Sequence, residues 1–277
     1  MARNRRRTRT SRGSRRSGGM KKFFIYGLAI VLMGGMGALF WWSNRTATAS
    51  AVDRETLCPT ATGPAGMTAI LIDLTDPLTL TQHSQLRAWL ESEIDEAPRG
   101  TQFTVGVVSD DEAKWGATTP LCKPQDADSA SSFTQNASLV DQRYRKQFLD
   151  PLQARIKEMT SASGADSSPI MESLQALAAD TPGFVTFDGP RRVILVSDLL
   201  QHSDALSMYR GDNWDSFRNS GNFERVGMTF LDADVVIYQV PRANEGSIDY
   251  DEIEHFWAMY FERQGAHLPE LKRLGDL

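Results

Sequence analysis

The sequence predicts an α/β fold: a doubly wound, mostly parallel sheet behind an N-terminal transmembrane helix. Three observations predict it. Four near-continuous apolar runs alternate with segments of helical periodicity. Two of those runs end in an acid, Asp73 and Asp198, as strands buried on both faces do where they leave the sheet. An uncharged stretch of 20 residues, Phe23 to Trp42, precedes them all. With 41% hydrophobic and 23% charged residues among 277, the composition is globular and excludes a disordered or collagen-like chain.

Charge is unevenly placed. Residues 1–22 hold eight Arg and two Lys and no acid, which leaves 20 bases against 35 acids in the rest, a net of −15. At about 1.5 Å per residue, the 23–42 stretch spans roughly 30 Å, one hydrocarbon core. Trp41 and Trp42 close it at the level of an aromatic belt. The positive-inside bias then puts the basic arm 1–22 in the cytoplasm and everything after residue 42 outside. Cleavage as a signal peptide is the competing reading, since Ala47-Thr48-Ala49 and Ala49-Ser50-Ala51 fit a small-x-small site. The apolar run exceeds an ordinary signal core, which favours the anchor. Both readings export the body. Met20-Lys21-Lys22-Phe23 also reads as a start of its own, making 1–19 an upstream extension. The arm serves topology in this reading, so nucleic acid is not an expected partner.

Residues 43–67, rich in Thr, Ala, Gly and Pro, read as a stalk, and 68–277 as the exported domain. Thr68–Leu74 is the first expected strand. A helix follows over Gln82–Glu96, where Leu86, Leu90 and Ile94 recur every four residues, and Ala97-Pro98-Arg99-Gly100 stops it. Phe103–Ser109 is the second strand, and 110–137 a long polar loop. A helix from Leu139 carries Tyr144 and Phe148. Asp150-Pro151 then looks like an N-cap with proline at the first position of a new helix. Pro169–Ala179 is a short helix, Arg191–Asp198 the third strand and Asp234–Val240 the fourth. The last helix, Tyr250–Gln264, buries Ile253, Phe256, Trp257, Tyr260 and Phe261 at i, i+3, i+4, i+7, i+8.

Two cysteines exclude a disulfide-rich scaffold and a four-cysteine zinc site. In an oxidising compartment Cys58 and Cys122, both in expected loops, pair with each other. The four histidines, His83, His202, His255 and His267, are scattered. There is no Gly-x-Ser-x-Gly turn, no P-loop and no Gly-x-Gly-x-x-Gly, so nucleotide and small-molecule chemistry has no motif to rest on.

In a doubly wound sheet, ligands meet the carboxyl ends of the strands where the strand order reverses. Three segments converge there: Asp73-Leu74-Thr75, Ser168-Pro169-Ile170 and Val196-Ser197-Asp198. They offer oxygen and neither His nor Cys, a donor set for a hard divalent cation. Helix-start chemistry with no ion is the alternative, with Asp73, Thr75, Thr79 and Ser168 capping turns and helices.

These segments, in this order, resemble the von Willebrand factor A family. Asp73-Leu74-Thr75 is similar to its Asp-x-Ser-x-Ser, and Ser168-Pro169-Ile170 to its Thr-Pro-[Leu/Ile]. Val193–Asp198 is similar to its strand ending in Asp. The resemblance covers about residues 68–265 and implies a Rossmann-like sheet. It also implies a metal-ion-dependent adhesion site of Asp73, Thr75, Ser168 and Asp198 holding Mg²⁺ or another divalent cation. Pro77 stands where the family has a hydroxyl residue and offers neither hydroxyl nor N–H, and Leu199 stands where it usually has Gly.

The expected function is a non-enzymatic module of a bacterial envelope, anchored in the inner membrane with its body in the periplasm. It would bind a protein partner on the strand-end face as an accessory subunit of a larger assembly. The alternatives are a metal-dependent hydrolase using Asp73 and Asp198, and a metal-free structural adaptor. A reporter enzyme that matures only outside the cytoplasm should be active when fused after Leu277, and a reporter that fluoresces only inside should stay dark. The reverse pattern refutes the topology.

Overall fold

The structure, a computed structural model, describes residues 31–39, 41, 51–73, 78–112, 115–129, 135–160, 167–242 and 249–275. The chain forms two compact units, Met1–Ser50 and Ala51–Leu277. In the first, 31–39 are helical, and Val31, Leu32, Met33, Met36 and Leu39 are all more than half exposed. Among the described residues no helix is long and apolar enough to cross a membrane. Most of the rest of the expected 23–42 span lies outside them.

The second unit is a mixed α/β layer structure around a six-stranded sheet. Its strands are β1 (Gly66–Ile72), β2 (Thr101–Val107), β3 (Leu121–Cys122), β4 (Arg191–Ser197), β5 (Asp234–Gln239) and β6 (Glu270–Arg273). The spatial order is β3-β2-β1-β4-β5-β6, parallel throughout except for the antiparallel β2–β3 pair. Strand order therefore reverses between β1 and β4, and a doubly wound sheet opens a crevice at that point.

The period of two along each strand divides the core into two layers. Met67, Ala69 and Leu71 of β1, with Val193 and Leu195 of β4, pack on one face. They meet α4 (Ile170–Asp180) and α7 (Tyr250–Arg263) through Leu174, Phe256, Trp257 and Phe261. Ile70, Ile72, Ile194 and Val196 face the other way. There they meet α1 (Leu80–Glu96) through Leu86, Leu90 and Ile94. Phe148 and Leu152, on the helical run that includes α2 (Ala137–Tyr144) and α3 (Asp150–Thr160), complete that layer. All five residues of the expected α7 stripe are buried. Two short helices, α5 (Trp214–Asn219) and α6 (Asn222–Val226), lie between β4 and β5.

Several elements differ from expectation for physical reasons. Helix α1 begins at Leu80 because Thr79 caps it. The Thr79 hydroxyl accepts from the Gln82 N–H at 3.2 Å, and the Gln82 side chain accepts from the Thr79 N–H at 3.0 Å, a capping box. Helix α3 does begin at Asp150-Pro151, but Asp150 is itself helical and is not a free N-cap. Arg145–Leu149 forms a π turn in which the Asp150 N–H reaches back to Arg145 O, so α2 runs into α3 without a break. Proline 151 has no N–H to give, and the widened turn makes room for its ring. Strands β3 and β6 were not expected, since one has two residues and the other, Glu-Leu-Lys-Arg, is polar.

Cys122 lies in β3 rather than in a loop, and it forms a disulfide with Cys58 across 64 residues of sequence. The Cys122 N–H also donates to Thr56 O at 2.7 Å, so the lead-in from Ala51 packs against the sheet edge. That covers an edge strand which would otherwise offer unpaired backbone groups. Lys123 follows, 3% exposed, and its ammonium donates to Asp95 O at 2.7 Å and Ala97 O at 2.9 Å. It thereby satisfies carbonyls at the C-terminus of α1.

Replacing both cysteines by serine should cost about 4 kcal/mol of unfolding free energy, the loop-closure value for a bridge of this span. Denaturant titration checks it: reductant should weaken the wild type by a similar amount and leave the double variant unchanged.

Candidate functional site

Side-by-side pairing of β1 and β4 brings the two acids to one rim. The ladder runs to Ile72↔Val196, and the Asp73 N–H extends it by donating to Val196 O at 2.7 Å. Asp73 and Ser197 therefore leave the sheet together. The Ser197 hydroxyl donates to Asp73 Oδ2 at 2.8 Å. Its oxygen also lies 3.5 Å from Asp198 Oδ1, but a single hydroxyl hydrogen serves the shorter contact.

Ser168 arrives from the opposite direction. It forms a two-way backbone bridge with His202, N to O at 2.9 Å each way, just before α4. Its hydroxyl donates to Asp73 Oδ2 at 2.9 Å. Ser168 is therefore not the side-chain cap of α4. Gln201 does that work: its Oε1 accepts from the Met171 N–H at 3.0 Å while its amide donates to Glu172 at 3.0 Å. Asp73, Ser168, Ser197 and Asp198 are each 5% exposed or less, and Gln201 is fully buried.

Asp198 Oδ1 accepts from the Leu200 N–H at 2.9 Å, a tight turn after the strand. Leu199, at the position where the resemblance expects glycine, adopts φ +70°, in the left-handed region that favours glycine. Three contacts hold it there. Its N–H donates to the Ser197 hydroxyl at 2.8 Å, its carbonyl accepts from Trp257 Nε1 at 2.9 Å, and its side chain is fully buried. Burial of a leucine offsets the strain of the turn.

The Asp198 carboxylate forms an ion pair with Arg242, whose side chain is 21% exposed. The arginine arrives by topology. Ser197 pairs with Gln239, and the Val240 N–H donates to Ser197 O at 2.8 Å, so the chain leaving β5 passes over the end of β4. Arg242 also donates to the Tyr209 hydroxyl at 3.4 Å. A cleft of about 480 Å³ opens beside Ser168, bordered by Ser167, Pro169, Glu172, His202, Ser203 and Arg210.

The structure thus brings together three of the four expected site residues, Asp73, Ser168 and Asp198. Thr75 lies outside the described residues, as do Asp76 and Pro77. Ser197, Gln201, Glu172 and Arg242 were missed. A serine before a strand-terminal aspartate was legible as a third hydroxyl. Nothing in the sequence marks Arg242, which reaches the rim only through the order of the strands.

Of the expected ligand set, Asp73, Ser168 and Asp198 are described and already engage protein groups. Asp198, one of the two expected anionic ligands, already faces a guanidinium. Among the described residues there is no group of three or more His, Cys, Asp or Glu able to hold a metal. A serine–histidine contact exists nearby, Ser207 Oγ to His202 Nδ1 at 2.7 Å. Ser207 is fully buried, and the pair pins the loop after β4.

No protein-family model matches the chain, and no curated protein matches it. It is similar to a solved structure described as an aerotolerance-related membrane protein from Bacteroides fragilis NCTC 9343 with multiple mutations to serines. The match covers 76% of this chain and 92% of that one, at 14% identity and a TM-score of 0.33.

Ser197→Ala should cost about 2 kcal/mol, because it strips a donor from buried Asp73 and leaves the Leu199 N–H without its acceptor. Ser168→Ala, which removes one donor from an aspartate that keeps another, should cost about 1 kcal/mol. Equilibrium unfolding of the two variants checks the order. A Ser168 variant weaker than the Ser197 variant contradicts it.

Proposed function

We propose that the chain is a membrane-anchored, extracytoplasmic protein-binding module of the von Willebrand A type. Its anchor is residues 23–42, its setting the bacterial inner membrane, and its role that of an accessory subunit in an envelope assembly. One observation carries the reading. Asp73, Ser168 and Asp198 come from three separate segments, in the order the family resemblance expects, and meet at the β1/β4 reversal point. That is where a doubly wound sheet presents its ligand face. A buried polar cluster of this kind holds the surrounding loops in one arrangement, which is what a recognition surface needs.

Two further features support it. The Cys58–Cys122 disulfide suits an oxidising compartment and so a body outside the cytoplasm. The rim also exposes groups suited to protein contact: Tyr209 is 54% exposed and lines a second cleft of about 660 Å³ with Trp214, Asp215, Glu252 and Phe256. Aromatic side chains of this sort anchor interfaces.

Photocrosslinking in the native envelope tests the proposal. A crosslinker at Tyr209 should capture a defined partner. One at exposed Asp188, near the opposite ends of the strands, should not. The same adduct from both positions, or none from Tyr209, refutes a strand-end binding face.

A further inference from the structure

We propose that Arg242 is the resident cation of this rim: its guanidinium supplies, permanently and from within the chain, the positive charge that a divalent ion would otherwise bring. The inference concerns the rim itself and does not depend on the partner reading above. Two observations carry it. Arg242 pairs with Asp198, the acid that closes β4. The pairing follows from the fold, since β5 lies beside β4 and the Val240 N–H still bonds to Ser197 O, which leaves Arg242 two residues further on, over the carboxylate.

The chemistry of the two cations differs in a way that matters here. A guanidinium stays protonated at every physiological pH and meets a carboxylate with directed N–H donors. It needs no open coordination position and no water shell. Asp198 is 4% exposed and Asp73 3% exposed, and carboxylates so deeply placed require compensation. Hydroxyl donors supply it for Asp73, and Arg242 supplies it for Asp198. The charge on Asp198 is then met from within the chain, and chelators have nothing to remove.

The test uses the full chain in detergent micelles and two readouts independent of any partner. Mn²⁺ titrated into the wild type should keep its free-ion electron paramagnetic resonance signal, and neither Mg²⁺ nor EDTA should move the melting temperature. Arg242→Gln should melt well below the wild type, while Arg242→Lys, which keeps the charge, should recover most of the difference. Binding of Mn²⁺ by the wild type at this rim, shown by its loss in Asp198→Asn, overturns the proposal. So does an Arg242→Gln variant as stable as the wild type, or a lysine variant no better than the glutamine one. Should Arg242→Gln fail to fold, the Mn²⁺ titration of the wild type still decides. Crosslinking at Tyr209 is not a readout here, so failure of the partner reading is distinguishable from failure of this one.

Discussion

Parallel pairing of β1 with β4 is the constraint on which the rest of the molecule depends. Six residue pairs lock the two strands in register from Met67↔Arg191 to Ile72↔Val196. A parallel pair cannot be closed by a tight turn, so the chain between them must travel over the sheet. It uses the journey to place β2, β3 and four helices. Because β1 then has β2 on one edge and β4 on the other, with a helical layer on each face, every residue of the strand is buried. The same register decides the rim. A slip of one residue would turn Ser197 away from Asp73 and send the core side chains of the strand to the wrong layer.

From that register the polar chemistry follows by necessity. Two strands that end side by side deliver two acids to one small volume, and two buried carboxylates repel unless each is compensated. The fold answers with donors drawn from three directions. Hydroxyls come from β4 and from the segment before α4, a backbone N–H from the turn at Leu200, and a guanidinium from the chain that leaves β5. Gln201 ties this cluster to the first turn of α4, so the helix start and the strand end move as one body. Trp257 ties it to α7 through Leu199 O. The rim is thus braced by elements from both sides of the reversal point.

How much of this the sequence discloses depends on the kind of signal each part leaves. Strands β1, β2, β4 and β5 were legible because burial on both faces writes a nearly continuous apolar run. Helix α7 was legible because its stripe has a period close to 3.6. Strand β3 writes only Leu121-Cys122, too short for any period, and its place is set by antiparallel pairing to β2 and the bond to Cys58. Strand β6 lies at the opposite edge with exposed or half-exposed side chains, so its composition is that of a loop. Asp150-Pro151 misled because the dipeptide has the same look at a helix start and after a π turn, and only the backbone separates the two. Asp73, Ser168 and Asp198 were legible as a site because strand ends and a helix start can be located along the chain. Arg242 was not, since its role depends on which strand lies next to which.

That last dependence separates two ways of meeting a buried acid. A cation bound from solution can be loaded or stripped, so whatever it supports follows its supply. A cation attached to the chain is present whenever the chain is folded, and its position is set by strand order. Asp198 is met in the second way by Arg242, while Asp73 takes hydroxyl donors from Ser168 and Ser197, so the ends of β1 and β4 are tied to the segments around them by the fold itself.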